Sequence, residues 1–227
     1  MYLNMGVKMK RHPSNTNLTL YYSNTYLGLP IQQDKGPFIV SYLDSLLMTI
    51  IIAIEQYRRV FAFRVDIRLP AGMYLPEVAE SNEVIGRFIE SFKAKIKHNR
   101  NKAFLVNKYA HDSVVRYVWA REVGERNGVP HYHLVILLNY DAFCALGQFE
   151  PGRDNMFNRL QEALASALSL SYDAVSGLIH FPDNARYCVH RGCNEELAAL
   201  FFRASYLCKA ATKVYGDGTH GFGASRI

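Results

Sequence analysis

The sequence has little cysteine, with only four such residues among 227 and none of them in a C-x-x-C pair. Structural zinc sites commonly use closely spaced thiolate ligands, so this spacing argues against such a site. A chain of this length buries enough apolar surface to fold without disulfides. We therefore expect reduced, mostly structural thiols in a cytoplasmic protein.

Long apolar runs are missing as well. The best membrane candidate runs from Leu46 to Ile54, includes Thr49 and is flanked by Asp44 and Glu55. It falls well short of the roughly 20 residues that a membrane-spanning helix needs. We expect a buried helix here and no membrane partner.

The charge that is present is weakly basic. Lysine and arginine number 26 against 20 acidic residues, which gives a formal net charge of +6. Basic surfaces attract phosphates, so this excess favours a polyanionic partner such as DNA, although many basic proteins bind no nucleic acid. Hydrophobic residues make up 49% of the chain, a share that predicts a globular protein with a substantial core.

Hydrophobic periodicity predicts a chain that mixes helices with antiparallel strands. Residues 1–37 are polar and rich in turn formers, which indicates an irregular arm with a short strand around 18–22. Residues 38–227 form the main domain. Helices are predicted at 39–57, 82–97, 155–170 and 195–213, and strands at 60–69, 114–122, 131–138 and 177–181. This order indicates an α+β fold in which helices cover an antiparallel sheet.

The strongest chemical signal is Glu122 followed, after a turn-rich connection, by the H-x-H pair His131 and His133. Residues two apart on a strand point to the same face, so the two imidazoles project side by side. A hairpin through Asn127-Gly128 would bring Glu122 close to His131. Two imidazoles and a carboxylate can bind one divalent cation and leave positions open for phosphate oxygens, which favours Mg²⁺ or Mn²⁺. H-x-H pairs also arise by chance on exposed strands, so both interpretations stay open.

A second signal is Tyr206 on the predicted helix 195–213. Lys209 and Lys213 follow it on the same flank of the helix, and Arg203 precedes it by about one turn. A phenol beside cations can meet a phosphate and attack phosphorus, which gives a phosphotyrosine. The competing interpretation is a tyrosine and several lysines on a solvated helix face.

Together, a glutamate, an H-x-H strand and a later Y-x-x-K segment resemble HUH rolling-circle replication initiators in kind and order. The chain resembles more closely the YagK/YfjJ C-terminal-domain family, described as inovirus-type replication proteins of bacteria and prophages. The resemblance covers roughly residues 38–227. The segments that carry it are Tyr42-Leu43-Asp44, Arg59-Val60, Arg64-Val65-Asp66, Trp119-Ala120-Arg121-Glu122, His131-Tyr132-His133 and Tyr206-Leu207-x-Lys209.

This resemblance implies an HUH-endonuclease-like antiparallel sheet with a palm or RRM-like core, and a metal held by Glu122, His131 and His133. It implies Tyr206 as the nucleophile and Lys209 as its electrostatic helper. The implied reaction nicks single-stranded DNA at the replication origin of a phage, prophage or plasmid, leaves a 5′-phosphotyrosine and a free 3′-hydroxyl, and later re-joins the strand. We expect a bacterial host that supplies the polymerase. It must supply a helicase too, since no G-x-x-x-x-G-K-[ST] segment exists.

Several cations near these motifs are candidate DNA contacts, namely Arg203, Lys213, Arg64 and Arg121. Asp66, between Arg64 and Arg68 on the first predicted strand, either supports the site or belongs to a surface ion-pair ladder. No second tyrosine lies one helical turn from Tyr206, and Tyr215 is nine residues on. How a single tyrosine would terminate replication stays open.

Other functions compete with the initiator. A non-cleaving DNA-binding regulator would keep the same fold. A histidine-triad nucleotide hydrolase would need a third histidine where this chain has Val135. A two-histidine phosphoesterase would need two H-x-[ST] motifs, and only His111-Asp112-Ser113 fits. A relaxase would usually show a third metal histidine in place of Glu122, so the initiator is favoured.

Overall fold

The computed structural model describes residues 10–69, 75–124 and 128–226. Its strands, in chain order, are β1 (Arg11–His12), β2 (Asn15–Tyr21), β3 (Thr25–Tyr26), β4 (Leu29–Pro30), β5 (Phe38–Ile39), β6 (Arg59–Arg68), β7 (Arg116–Val123), β8 (Pro130–Asn139), β9 (Ile179–His180), β10 (Arg186–His190) and β11 (Phe222–Ala224). Its α-helices are α1 (Val40–Gln56), α2 (Glu83–Val106), α3 (Met156–Leu168) and α4 (Asn194–Ser205).

The main sheet is antiparallel, with strand order β10-β6-β8-β7-β11, and β9 pairs with β6 beyond the end of β10. The long strand β8 lies between β6 and β7. Its register against β6 pairs Asp66 with His133, and its register against β7 pairs Glu122 with His131. The predicted α+β class, an antiparallel sheet covered by helices, is confirmed.

Side-chain alternation gives the sheet two covered faces. Phe61, Phe63 and Val65 of β6 pack with α2 and α3 on one face. Val60 and Ala62 pack with α1 and α4 on the other face. Since successive strand residues point to opposite sides, a strand covered on both faces is apolar almost throughout. Burial of each large apolar side chain contributes roughly 1.5–3 kcal/mol to this two-sided core.

The face under α1 and α4 changes character along the strands. Its apolar positions, which pack against these helices, are Val60, Ala62, Val118, Ala120, Val135 and Leu137. Further along the same three strands, this face carries the polar residues Arg64, Asp66, Arg68, Glu122, His131 and His133. Burying charged groups is unfavourable unless they pair with one another. The polar end of this face is therefore a clustered ionic site.

The described part of the N-terminal segment packs against the main domain. β2 pairs with β1 and with β5, and β3 pairs with β4. The Tyr26 hydroxyl donates to Asp44 on α1 at 2.5 Å, and burial together with this contact raises the pKa of Tyr26. Gln32 donates to the carbonyls of Phe202 and Arg203 near the end of α4. The segment thus supports the end of α4, and the domain division at residue 37 stays a prediction.

Two helices differ in length from the sequence prediction. α2 continues to Val106, because Arg100, Lys102, Ala103 and Leu105 favour helix beyond the buried stripe, which ends at Ile96. α4 stops at Ser205 instead of running to residue 213, so that part of the prediction is wrong. Within the residues described, no helix is long and apolar enough to cross a membrane.

Candidate metal and tyrosine site

Three predicted ligands meet at the polar end of the sheet. Glu122 on β7 lies directly opposite His131 on β8, and His133 is two residues further along the same strand. One ligand atom from each of these side chains lies within 4.8 Å of the other two. The structure therefore brings together Glu122, His131 and His133 as a group that could hold one metal ion.

A second carboxylate orients one of these histidines. Asp66 Oδ1 lies 2.8 Å from His133 Nδ1, and both side chains are less than 10% exposed. The Arg64 guanidinium lies 3.1 Å from the same nitrogen, but it can only donate, so Nδ1 cannot bond to both groups. The shorter contact, with an ionised carboxylate, places the proton on Nδ1 and leaves Nε2 as the lone-pair nitrogen.

The free nitrogen of His133 tests whether a metal fits. His133 Nε2 is buried and has no hydrogen-bond partner among the described residues. It lies 3.5 Å from Glu122 Oε2, and His131 Nε2 lies 3.7 Å from the same oxygen. An orphaned buried nitrogen is costly unless something occupies it. A carboxylate–histidine pair that aims a lone pair at other ligands is the usual support of a metal site. The residues fit a divalent cation.

Cations surround the Glu122 carboxylate, which is only 2% exposed. Lys209 Nζ lies 2.9 Å from Oε2, and Lys213 Nζ lies 3.2 Å from Oε1. Burial acts to raise the pKa of Glu122, but its contacts with His131 and Lys213 outweigh this effect and hold the pKa below its usual range. Burial in turn lowers the pKa of Lys213. Glu122 is therefore ionised and able to act as a ligand.

Tyr206 lies beside the cluster. It begins a short 3-10 turn, Tyr206–Cys208, that follows α4. Its ring packs edge-on against His133 with centroids 5.4 Å apart, and the Arg64 guanidinium lies over it at 4.7 Å. Its hydroxyl accepts a hydrogen bond from Lys209 Nζ at 2.6 Å. Lys209 therefore touches both the phenol and the Glu122 carboxylate.

The end of α4 explains why the tyrosine reaches this position. Residue Lys209 forms an antiparallel bridge with Phe38, and Ala210 N–H donates to the Pro37 carbonyl. Because of these contacts, the chain leaves the helical conformation after α4 and runs beside β5. Lys213 is consequently not on a helix shared with Tyr206, which corrects the predicted helical spacing. It approaches Glu122 from the segment beside β7, where Val123 N–H donates to the Thr212 carbonyl.

The predicted DNA contacts divide into two groups. Arg64 and Lys213 belong to the site, through Tyr206 and Glu122. Arg121 points to the opposite face, where its guanidinium binds Asp217 at 3.1 Å and Thr219 at 2.9 Å. The Arg203 guanidinium donates to the Asp183 carbonyl. The structure does not bring Arg121 and Arg203 into the cluster.

Asp66 is the site residue that the sequence left undecided. It is 3% exposed and bonded to Arg64 and His133, so it does not belong to a surface ladder. Burial acts to raise its pKa, and contacts with His133 and Arg64 lower it overall. The sequence offers a weak signal for this role, because Asp66 is the one carboxylate in a strand whose other residues are mostly apolar. The pairing of Asp66 with His133 depends on strand register alone.

Removing the charge of Asp66 should weaken metal binding. We expect Asp66→Asn to lower Mn²⁺ affinity by about 10- to 100-fold, the usual effect of losing a carboxylate behind a ligating histidine. Isothermal titration calorimetry measures this. Asp141→Asn is a matched control, because Asp141 pairs with Arg59 at the opposite end of β6. Unchanged Mn²⁺ affinity in a folded Asp66→Asn protein would contradict the assigned orientation of His133.

The chain is therefore an α+β protein. Its antiparallel sheet carries a cluster of two histidines and a glutamate that could hold a metal ion. The chain belongs to the YagK/YfjJ C-terminal domain family, which it matches over residues 22–225. It is 30% identical over 210 residues to the uncharacterized protein YagK of Escherichia coli (strain K12), covering 86% of this chain and 97% of YagK. It is 29% identical over 203 residues to the uncharacterized protein YfjJ of the same strain, covering 84% and 96%.

Among solved structures, the chain has a weak similarity to the N-terminal nuclease domain of the minute virus of mice non-structural protein 1. That domain is described as having a unique Zn²⁺ coordination in its active-site pocket and a novel mode of DNA recognition at the origin of replication. The match covers 80% of this chain and 78% of that one, with 11% identity and a TM-score of 0.26. This TM-score is too low to establish a common fold.

Proposed function

We propose that this protein is a metal-dependent endonuclease and strand transferase that nicks single-stranded DNA and re-joins it through a covalent 5′-phosphotyrosine. One observation carries the proposal. The ammonium group of Lys209 contacts the Tyr206 hydroxyl at 2.6 Å and the Glu122 carboxylate at 2.9 Å. Glu122 forms the metal-type cluster together with His131 and His133. A nucleophile and a metal-binding group that share one hydrogen-bonded neighbour can act on the same phosphate.

In the proposed cleavage step, Tyr206, Lys209 and Arg64 have separate roles. Tyr206 oxygen attacks phosphorus, and its proton passes to solvent water. The P–O3′ bond of the DNA breaks, and its electron pair leaves with the 3′-oxygen, which takes a proton from solvent. Lys209 stabilises the negative charge that develops on the phenolic oxygen. Arg64, which lies over the Tyr206 ring, holds the phenol in place and favours an anion beside it.

Glu122, His131 and His133 would hold the cation, which we propose is Mg²⁺ or Mn²⁺. When bound, such an ion polarises the phosphodiester as a Lewis acid. The two histidines would bind through neutral ring nitrogens, and Asp66 fixes the tautomer of His133 by accepting a hydrogen bond from its Nδ1–H group. Asp66 is therefore a positioning residue, since its carboxylate acts on the ligand His133.

The proposed biological role is initiation of rolling-circle replication of a phage, prophage or plasmid in a bacterial host. The free 3′-hydroxyl would prime a host polymerase, and a host helicase would unwind the duplex. Tyr215 is a poor second nucleophile, because its hydroxyl is buried and its ring packs against His12. Burial raises the pKa of Tyr215, which further disfavours its phenolate. We therefore propose that Tyr206 alone carries the covalent bond.

A non-cleaving DNA-binding regulator remains a second candidate, favoured by a specific observation. Lys209 and Lys213 both form ion pairs with the Glu122 carboxylate, so the chain itself supplies counter-charges to this group. A protein that had lost its metal dependence would keep a stable fold through these pairs. Such a protein would bind DNA with the same basic residues and form no covalent product.

Incubation with single strands from the DNA flanking its own gene separates the two candidates. In Mn²⁺ we expect a covalent protein–DNA product, seen as a slower band in denaturing electrophoresis and located at Tyr206 by peptide mass spectrometry. EDTA should reduce its rate by at least about a thousandfold, because Lewis-acid stabilisation is worth several kcal/mol. Sequence-specific binding to duplex DNA without any adduct would instead support the regulator.

A further inference from the structure

The sheet register places two basic side chains, Arg68 and His180, beside the cluster of Glu122, His131 and His133. Arg68 on β6 lies directly opposite His131, so it continues the row formed by Glu122 and His131. His180 on β9 lies directly opposite Asp66 in the next row. Directly opposed residues of antiparallel strands point to the same face. Arg68 and His180 therefore share the face of the metal-type cluster.

The contact between these two side chains fixes what they offer to a ligand. Arg68 Nη2 lies 3.2 Å from His180 Nδ1. A guanidinium can only donate, so Nδ1 of His180 is the acceptor and its ring proton lies on Nε2. The pair consequently presents the remaining N–H groups of Arg68 and the Nε2–H of His180. All of these are hydrogen-bond donors, as an anion site requires.

The basic side chains around the cluster differ in exposure and pairing. Lys209 and Lys213 are buried and paired with Glu122. Arg68 is exposed, and His180 is partly exposed. Among the residues that the structure describes, no carboxylate lies within ion-pair distance of Arg68. Its charge is therefore available to a ligand that arrives from solvent next to the metal-type cluster.

We propose that Arg68 and His180 bind a phosphate of single-stranded DNA next to the phosphate that is cut. Arg68 contributes a forked guanidinium to two phosphate oxygens, and His180 holds that fork in place and donates from Nε2. The strand then passes from this pair, across the metal ligands, to the phenol of Tyr206. The inference rests on the proposed nuclease function, because it takes its ligand from that reaction.

Fluorescence anisotropy with a labelled single-stranded oligonucleotide tests the pair, in EDTA so that binding is measured without cutting. We expect Arg68→Ala to weaken binding about tenfold and to reduce the slope of log K against log salt by about 0.7, the value of one single-strand phosphate contact. Arg68→Lys should keep the slope and recover only part of the affinity, since it lacks the fork. His180→Ala should weaken binding about threefold, consistent with the loss of one neutral hydrogen-bond donor. Arg58→Ala, which removes an exposed charge at the opposite end of β6, should change the affinity by less than about twofold.

The outcomes distinguish this inference from the nuclease proposal. Equal losses in Arg68→Ala and Arg58→Ala would show general electrostatic attraction and would overturn the pair. Unchanged oligonucleotide binding by Arg68→Ala, or no oligonucleotide binding by the wild-type protein, would also overturn the pair. Loss of Mn²⁺ affinity in His180→Ala would overturn it too, because His180 would then be a metal ligand. If Arg68→Ala loses binding as expected but the wild-type protein never forms an adduct in Mn²⁺, the nuclease proposal fails and the phosphate site stands.

Discussion

Tyr206→Phe is expected to reduce formation of the covalent DNA adduct by at least about ten-thousandfold, because it removes the only atom that forms the bond to phosphorus. Binding of single-stranded DNA should change by less than about twofold. The ring of Phe keeps the contacts that Tyr206 makes with His133 and Arg64. Denaturing electrophoresis measures the adduct, and fluorescence anisotropy measures the binding.

Tyr215→Phe is the matched control, since it removes a phenolic oxygen from the same C-terminal region. Tyr215 packs against His12 and not against the cluster, so this variant should form the adduct at the wild-type rate. An adduct in Tyr206→Phe, or a DNA-linked peptide that contains Tyr215, would contradict the assignment. Loss of both adduct and binding in Tyr206→Phe would indicate a folding defect, which circular dichroism detects.

Glu122→Ala should have the second large effect, on both metal binding and stability. Without the carboxylate, the cluster keeps only two imidazoles, and we expect Mn²⁺ binding to fall below detection by calorimetry. The change also leaves Lys209 and Lys213, each less than 10% exposed, without their shared counter-charge. Breaking a buried pair in this way costs about 3–5 kcal/mol in the free energy of unfolding, measured by urea titration.

Two control variants separate the two roles of Glu122. Glu83→Ala removes an exposed carboxylate paired with Arg87 and should change the free energy of unfolding by less than about 1 kcal/mol. Glu122→Ala combined with Lys213→Met removes one of the uncompensated charges. This double variant should recover part of the lost stability but not Mn²⁺ binding, because Lys209 still lacks its counter-charge. Mn²⁺ affinity that persists in Glu122→Ala would exclude the carboxylate from the ligand set.

Local pattern was sufficient for much of the fold and for the metal-type cluster. Alternation along β6 identified this strand, because a strand has a period of two. The same period places His131 and His133 on one face, and a short connection keeps Glu122 close to them. These relations join residues that are near in sequence, so local geometry determines them. The helix predicted at 195–213 failed because contacts of Lys209 and Ala210 with residues 37 and 38 replace helical hydrogen bonds.

By itself, the sequence was sufficient to predict the α+β class, the long strands and the closeness of Glu122, His131 and His133. Tertiary structure alone decided that Asp66 supports His133, that Lys209 joins Tyr206 to Glu122, and that Arg121 binds Asp217. Each of these contacts joins segments far apart along the chain. Their register depends on how the whole sheet and α4 pack, because a shift of one residue would move every side chain to the other face.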